Sequence, residues 1–267
     1  MPDLREIEAG TFVLTAAAVA DVREQPEEGV PLVTQLLMGW PAQVLGMEGQ
    51  WLHIQAVDGS PGWTPVDCFC LPAWPEENPV VQVVRATAGL YSREQANTCC
   101  GTLFLGSRLR LLEEKEKNLR VSLPGGKSAY LLKEDVKVIH SNQLVKNRDV
   151  LAAAYLFAGA PYLWGGMTTR GVDCSGLTYM AYFVNGYQLP RDAQDQFKAG
   201  APVERDQLHA GDLVFFSTID PGPSHVGIYQ GEGMFFNART KEGVTVTSLQ
   251  DDFFKHRYLG ARRYIGF

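Results

Sequence analysis

A thiol and an imidazole, each in polar company, are the groups in this chain best placed for covalent chemistry. Cys174 lies in Gly171-Val172-Asp173-Cys174-Ser175-Gly176-Leu177, a polar, glycine-flanked cluster that runs into an apolar stretch ending at Val184. Asp173 is a natural helix N-cap, which puts Cys174 in the first helical turn. The partial positive charge of a helix start favours thiolate over thiol, so a lowered thiol pKa is expected there. Downstream, Ser224-His225-Val226-Gly227-Ile228-Tyr229 sets a histidine at the head of a β-rich run. Most isolated cysteines are inert buried side chains. Three features single this pair out: the cap before the thiol, the rigid strand behind the imidazole, and the turn Pro161-Tyr162-Leu163-Trp164-Gly165-Gly166. That aromatic, glycine-rich turn has the composition of a cleft wall rather than a linker.

The elements that must hold these residues read as an α+β region from residue 141 onward. Val145 to Ala158 has helical spacing, with Asn142 or Asn147 as candidate caps, and the helix beginning at Cys174 follows. Strands then read at 212–216, 225–229, 234–238 and 244–247. Helices first and antiparallel strands after define the class. Asp212 reads as a brace before a core strand, the Phe215-Phe216 and Phe235-Phe236 pairs as core or cleft wall, and His209 and His256 as loop residues.

The first half has a different texture. Short alternating strands between turns rich in Gly, Pro, Glu and Asn form two units, each the size of a small barrel. Leu36-Leu37-Met38-Gly39 and Leu103-Phe104-Leu105-Gly106 echo one another, and Leu71 to Pro79 reads as a stiff linker. The expected division is 1–75, 76–140 and 141–267.

Composition excludes several classes. With 267 residues, 45% hydrophobic and 20% charged, the chain is globular, and its net charge of −6 gives phosphate no basic surface to bind. No nucleic-acid partner is expected. No apolar run approaches the length that spans a bilayer, and Phe12 to Ala20 reads as a strand, so no membrane insertion is expected. Five cysteines (68, 70, 99, 100 and 174), two of them adjacent, do not make a disulfide framework. Their spacings do not suit zinc. Reduced thiols and a cytoplasmic setting are the simplest account, with a periplasmic or secreted one if a signal peptide had been removed. No metal site or phosphate loop is written, so no cofactor is expected, and the chain reads as a monomer.

From about Val145 to Phe267 the sequence resembles the NlpC-type cell-wall peptidases, a papain-like family. Pro161 to Gly166, Asp173-Cys174-Ser175-Gly176, Leu189-Pro190-Arg191, Gly211 to Phe216 and His225 to Tyr229 carry the resemblance. The upstream units resemble bacterial SH3-like domains, with Gly62-Trp63 as the signature pair of the first. The second has Ala129-Tyr130 instead. Together these features look like the γ-D-glutamyl-L-diamino-acid endopeptidases that trim murein peptides.

The resemblance implies roles. Cys174 is the expected nucleophile and His225 its base. Asn237 stands where the family commonly has a histidine that orients the base, and its amide oxygen can do that work. Tyr162 is expected to support the oxyanion or the substrate backbone. Asp173 and Ser175 are expected to bind a free N-terminal amine of L-Ala. Glu24, Ser60 and Trp63 of the first SH3-like unit are expected to close that end of the cleft. A non-catalytic wall-peptide-binding protein, or an amidase or acyltransferase on the same fold, are the competing readings.

Overall fold

The structure, a computed structural model, describes residues 7–73, 75–139, 150–219 and 221–264. It divides into compact units 1–143 and 144–267. The first unit contains two seven-stranded antiparallel sheets. One is made of Phe12–Thr15 (β1), Val19–Arg23 (β2), Leu32–Leu37 (β3), Pro41–Glu48 (β4), Trp51–Ala56 (β5), Pro61–Pro65 (β6) and Phe69–Cys70 (β7). The other is made of Val80–Val83 (β8), Thr87–Tyr91 (β9), Cys99–Phe104 (β10), Arg108–Glu114 (β11), Asn118–Ser122 (β12), Ser128–Leu132 (β13) and Val136–Ile139 (β14). Their orders are β3-β2-β6-β5-β4-β1-β7 and β10-β9-β13-β12-β11-β8-β14, which is one topology written twice. Alternation drives both: β2 and β13 bury every second side chain.

Ser60 directly precedes β6, which starts at Pro61. β6 pairs with β2 so closely that a Cβ on Gly62 would lie 2.6 Å from Val22 Cγ1 and 2.8 Å from the Arg23 carbonyl oxygen. Only glycine fits that approach. In the second sheet Ala129 holds the equivalent place and is buried in the core.

The two sheets interlock through the echoed turns. Met38 packs in the hydrophobic cluster of the second sheet with Val81, Leu103 and Leu109. Buried Trp40 donates its indole N–H to the Gly106 carbonyl at 2.8 Å, and the Arg108 amide donates to the Met38 carbonyl at 3.0 Å.

The first described element of the second unit is Val150–Tyr155 (α1), and it stops short of Ala158, where the helical pattern ended, because the chain leaves the α-conformation after Tyr155. The candidate caps Asn142 and Asn147 lie outside the described residues. A small hairpin follows, Met167–Thr168 (β15) with Gly171–Val172 (β16), and then Cys174–Phe183 (α2). Every residue of α2 is buried, as suits a helix apolar on all sides. Ala193–Ala199 (α3) leads to a six-stranded antiparallel sheet. Its strands are Ala201–Val203 (β17), Leu213–Phe216 (β18), His225–Gly231 (β19), Met234–Arg239 (β20), Gly243–Ser248 (β21) and Tyr258–Arg263 (β22), in the order β17-β22-β18-β19-β20-β21. Asp252–Lys255 (α4) precedes the last strand. The helix α2 packs against β19 and β20, so the two catalytic candidates sit at the heads of adjoining elements. Phe215, Phe216, Phe235 and Phe236 are buried in this unit, and Asp212 braces its turn by accepting from the His209 amide and pairing with Arg263 at 2.6 Å. No helix among the described residues is long and apolar enough to cross a membrane.

Candidate active site

Cys174 opens α2, and the cap that places it is the expected one. Asp173 Oδ1 accepts from the Gly176 amide at 2.6 Å. The turn before the helix is tied to the same carboxylate, because Gly165 N–H donates to Asp173 Oδ2 at 2.8 Å. The fit is tight: a Cβ on Gly176 would stand 2.3 Å from the Gly166 carbonyl oxygen.

A cleft of about 340 Å³ is lined by Cys174, His225 and Tyr162 together. Tyr162 is held against Val172 by an isolated bridge. Asn237 stands behind the imidazole, fully buried on β20, with Oδ1 3.0 Å from His225 Nε2. Its amide nitrogen donates to Thr247 Oγ1 at 2.9 Å and to the Thr245 carbonyl at 3.3 Å. A carbonyl can only accept, so the amide group must face β21 and its oxygen must face His225. That oxygen can only accept in turn, so Nε2 carries the proton and Nδ1 is left as the basic nitrogen. The Asn237↔Thr245 register of β20 and β21 thereby fixes a tautomer.

Burial dominates the electrostatics. It pulls the His225 pKa down from 6.5 to about 4, with Arg239 adding to the shift and the Asn237 hydrogen bond opposing it. Burial also pushes the Cys174 thiol up from 9.0 to about 12. Asp173 adds to that shift, while Arg191 and backbone hydrogen bonds at Val226 and Ser175 oppose it. The lowered thiol pKa expected from the helix start is therefore corrected: desolvation outweighs the helix field. At neutral pH the resting pair is a neutral thiol and a neutral imidazole. The Tyr162 hydroxyl is also raised by burial, then by Cys174 and Asp173, so it stays a hydrogen-bond donor.

Asp173 and Ser175, the residues expected to bind a free amine, sit beside a buried cation. Arg191 grips Asp173 with two nitrogens, at 3.0 Å and 2.7 Å, and donates to Ser175 Oγ at 2.9 Å. Both charged side chains are under a tenth exposed. The carboxylate is thus already ion-paired, and an incoming ammonium would share it with Arg191. In the first unit, the Arg23↔Trp63 register brings exposed Glu24 near the start of β6. Trp63 stacks on His53 at 4.7 Å, and the Ser60 amide donates to Asp58.

Sequence reasoning named Arg191 only as part of a motif and missed Thr245 and Thr247. The threonine pair carried no local signal, since its meaning depends on cross-strand register.

Residues 159–263 match the NlpC/P60 family, and residues 22–67 match the bacterial dipeptidyl-peptidase Sh3 domain. The chain belongs to the NlpC/P60 family of cysteine peptidases. It is 32% identical over 252 residues to the gamma-D-glutamyl-L-lysine dipeptidyl-peptidase of Bacillus cereus, spanning 88% of this chain and 75% of that protein. It is 30% identical over 241 residues to the enzyme of the same name from Bacillus subtilis, spanning 86% and 80%. Among solved structures, an NlpC/P60 family protein from Bacillus cereus superposes with a TM-score of 0.87 at 26% identity, covering 96% of this chain and all of that one.

Proposed function

We propose that this peptidase hydrolyses the γ-D-glutamyl–diamino-acid bond of murein peptides that carry a free N-terminal L-Ala. The observation that carries the reading is the Thr245/Thr247–Asn237–His225 chain in the cleft that Cys174 lines. The names of the two Bacillus relatives support the bond type. Cys174 sulfur attacks the γ-carbonyl carbon while its proton passes to His225 Nδ1. The tetrahedral oxyanion collects hydrogen bonds from the Tyr162 hydroxyl and the backbone at the α2 start. His225 returns the proton to the leaving amine, the C–N bond breaks, and a thioester remains. Water, deprotonated by the same imidazole, releases L-Ala-D-Glu and restores the thiol.

Asn237 orients the base. Asp173 and Ser175, held by Arg191, bind the amine end of the peptide. The architecture is a papain-like domain at 141–267 preceded by two SH3-like modules at 1–75 and 76–140, and the shared strand order of the two sheets supports the second module. Exposed Cys99 and Cys100 fit a reducing, cytoplasmic setting and work on released peptides rather than on intact wall.

The test is mass spectrometry after incubation with L-Ala-γ-D-Glu-diamino-acid peptides. The expected products are L-Ala-D-Glu and the free diamino acid or its C-terminal extension. A folded Cys174→Ala protein is expected to give none, and turnover by that variant would overturn thiol catalysis. Equal kcat/KM for free and N-acetylated peptides would overturn the free-amine requirement.

A further inference from the structure

The leaving amine must come within reach of His225, because that imidazole returns its proton. The leaving residue therefore lies on the His225 side of the cleft. That side is walled by the turn from β20 into β21 and by Phe253 and Phe254 of α4. The charged side chains lining it are Arg239, Lys241 and Glu242. Arg239 Nε lies 3.4 Å from Glu242 Oε2, and its guanidinium sits 5.4 Å over the Phe254 ring, so it is held in place. Lys241 is exposed and makes no ion pair among the described residues. The wall thus carries two cations against one anion. Phe253, 43% exposed, offers an apolar floor beside them.

We propose that Arg239 and Lys241 form a subsite for a carboxylate on the leaving residue, with its aliphatic chain laid on Phe253. The subsite rests on the γ-glutamyl cleavage proposed for this cleft and extends it to the residue on the far side of the scissile bond. Two carboxylates could fill it. One is the α-carboxylate of a leaving residue that ends the peptide. The other is a second carboxylate at the tip of the side chain, as in diaminopimelate. A lysine amide presents neither. Each arrangement puts the anion against cations on the same wall as the base, where a charge-assisted contact adds specificity at the leaving position.

The test compares three peptides that share L-Ala-γ-D-Glu: one ending in lysine amide, one in free lysine, and one in diaminopimelate with its α-carboxyl amidated. At least one carboxylate-bearing peptide is expected to exceed the lysine amide by about tenfold in kcat/KM, and which one does so identifies the carboxylate. Lys241→Gln is expected to shrink that ratio severalfold, and Lys241→Arg to restore it. The side chain is exposed, so the fold is not at stake. Equal rates for all three peptides, a faster lysine amide, or an unchanged ratio in Lys241→Gln would overturn the subsite while leaving the γ-glutamyl reading intact.

If none of the peptides is cut, the γ-glutamyl reading fails, and the subsite is judged by a second measurement. Free diaminopimelate is expected to slow alkylation of Cys174 by iodoacetamide more than its diamide does, in wild type but not in Lys241→Gln. Equal protection by acid and diamide would refute the subsite.

Discussion

The buried amide of Asn237 decides which nitrogen of His225 is basic. Asn237→Ala removes the acceptor and leaves a buried imidazole N–H unpaired. The expected result is a fall in kcat of about ten- to a hundredfold, smaller than the loss in Cys174→Ala, because holding a base is worth less than having one. Steady-state kinetics on the tripeptide check this, and wild-type kcat in Asn237→Ala would remove that residue from the site. The lowered histidine also sets an acid limit. Catalysis needs neutral His225, so kcat/KM is expected to hold through neutrality and fall only as pH drops toward about 4. A limb at or above 6.5 would contradict the burial argument.

The same shift acts on stability. Between about 4 and 6.5 the unfolded chain binds a proton at His225 that the folded chain refuses, so stability falls as pH drops through that window. At Cys174 the folded pKa is raised, so its contribution is complete below 9.0 and is lost as pH climbs toward about 12. Urea titrations across pH are expected to show both slopes, and Cys174→Ala should make the alkaline one shallower, with Cys68 and the buried tyrosines, whose pKa values burial also raises, keeping the remainder. Asp173, Cys174 and His225 were legible as residues because a cap before an apolar run is a local signal. The direction of the thiol shift was not, because it depends on how deeply the rest of the unit covers the helix start.

At the scale of elements, α2 is positioned by what grips its first turn. Asp173 caps it, holds the preceding turn through Gly165, and is balanced by Arg191, which arrives from the loop before α3. Thr178 and Gln196 join α2 to α3, and Gln196 also reaches the Pro190 carbonyl. Removing one partner of a buried ion pair strands the other, at about 3–5 kcal/mol. Arg191→Ala is therefore expected to lower the unfolding midpoint strongly, while a surface change such as Lys198→Ala, in an exposed Asp195 pair, should stay within about 0.5 kcal/mol. Chemical denaturation measures both. The strands around His225 and Asn237 were legible from their apolar runs. Strands β17 and β22 and helix α3 were not, since their sequences are mixed and only their partners make them regular.

At the scale of the whole chain, repetition was the readable feature: two turn echoes pointed to duplicate units, and the two sheets have the same strand order. What the sequence did not reveal is that the copies share a core. Trp40→Ala is expected to destabilise the first unit by about 3–5 kcal/mol, since it empties a buried site and orphans the Gly106 carbonyl. Urea unfolding followed on the 1–143 fragment checks the size. It also checks cooperativity: both sheets are expected to melt together, and separate transitions would show that the interlock carries little energy. This interlock limits how such chains can be rearranged in evolution. A single copy moved into another protein would bare Met38 and the Trp40 indole to water, an invitation to self-association. The pair, rather than the single barrel-sized repeat, is then the portable cassette, and lineages that carry one copy alone should show a polar residue where this chain has Trp40.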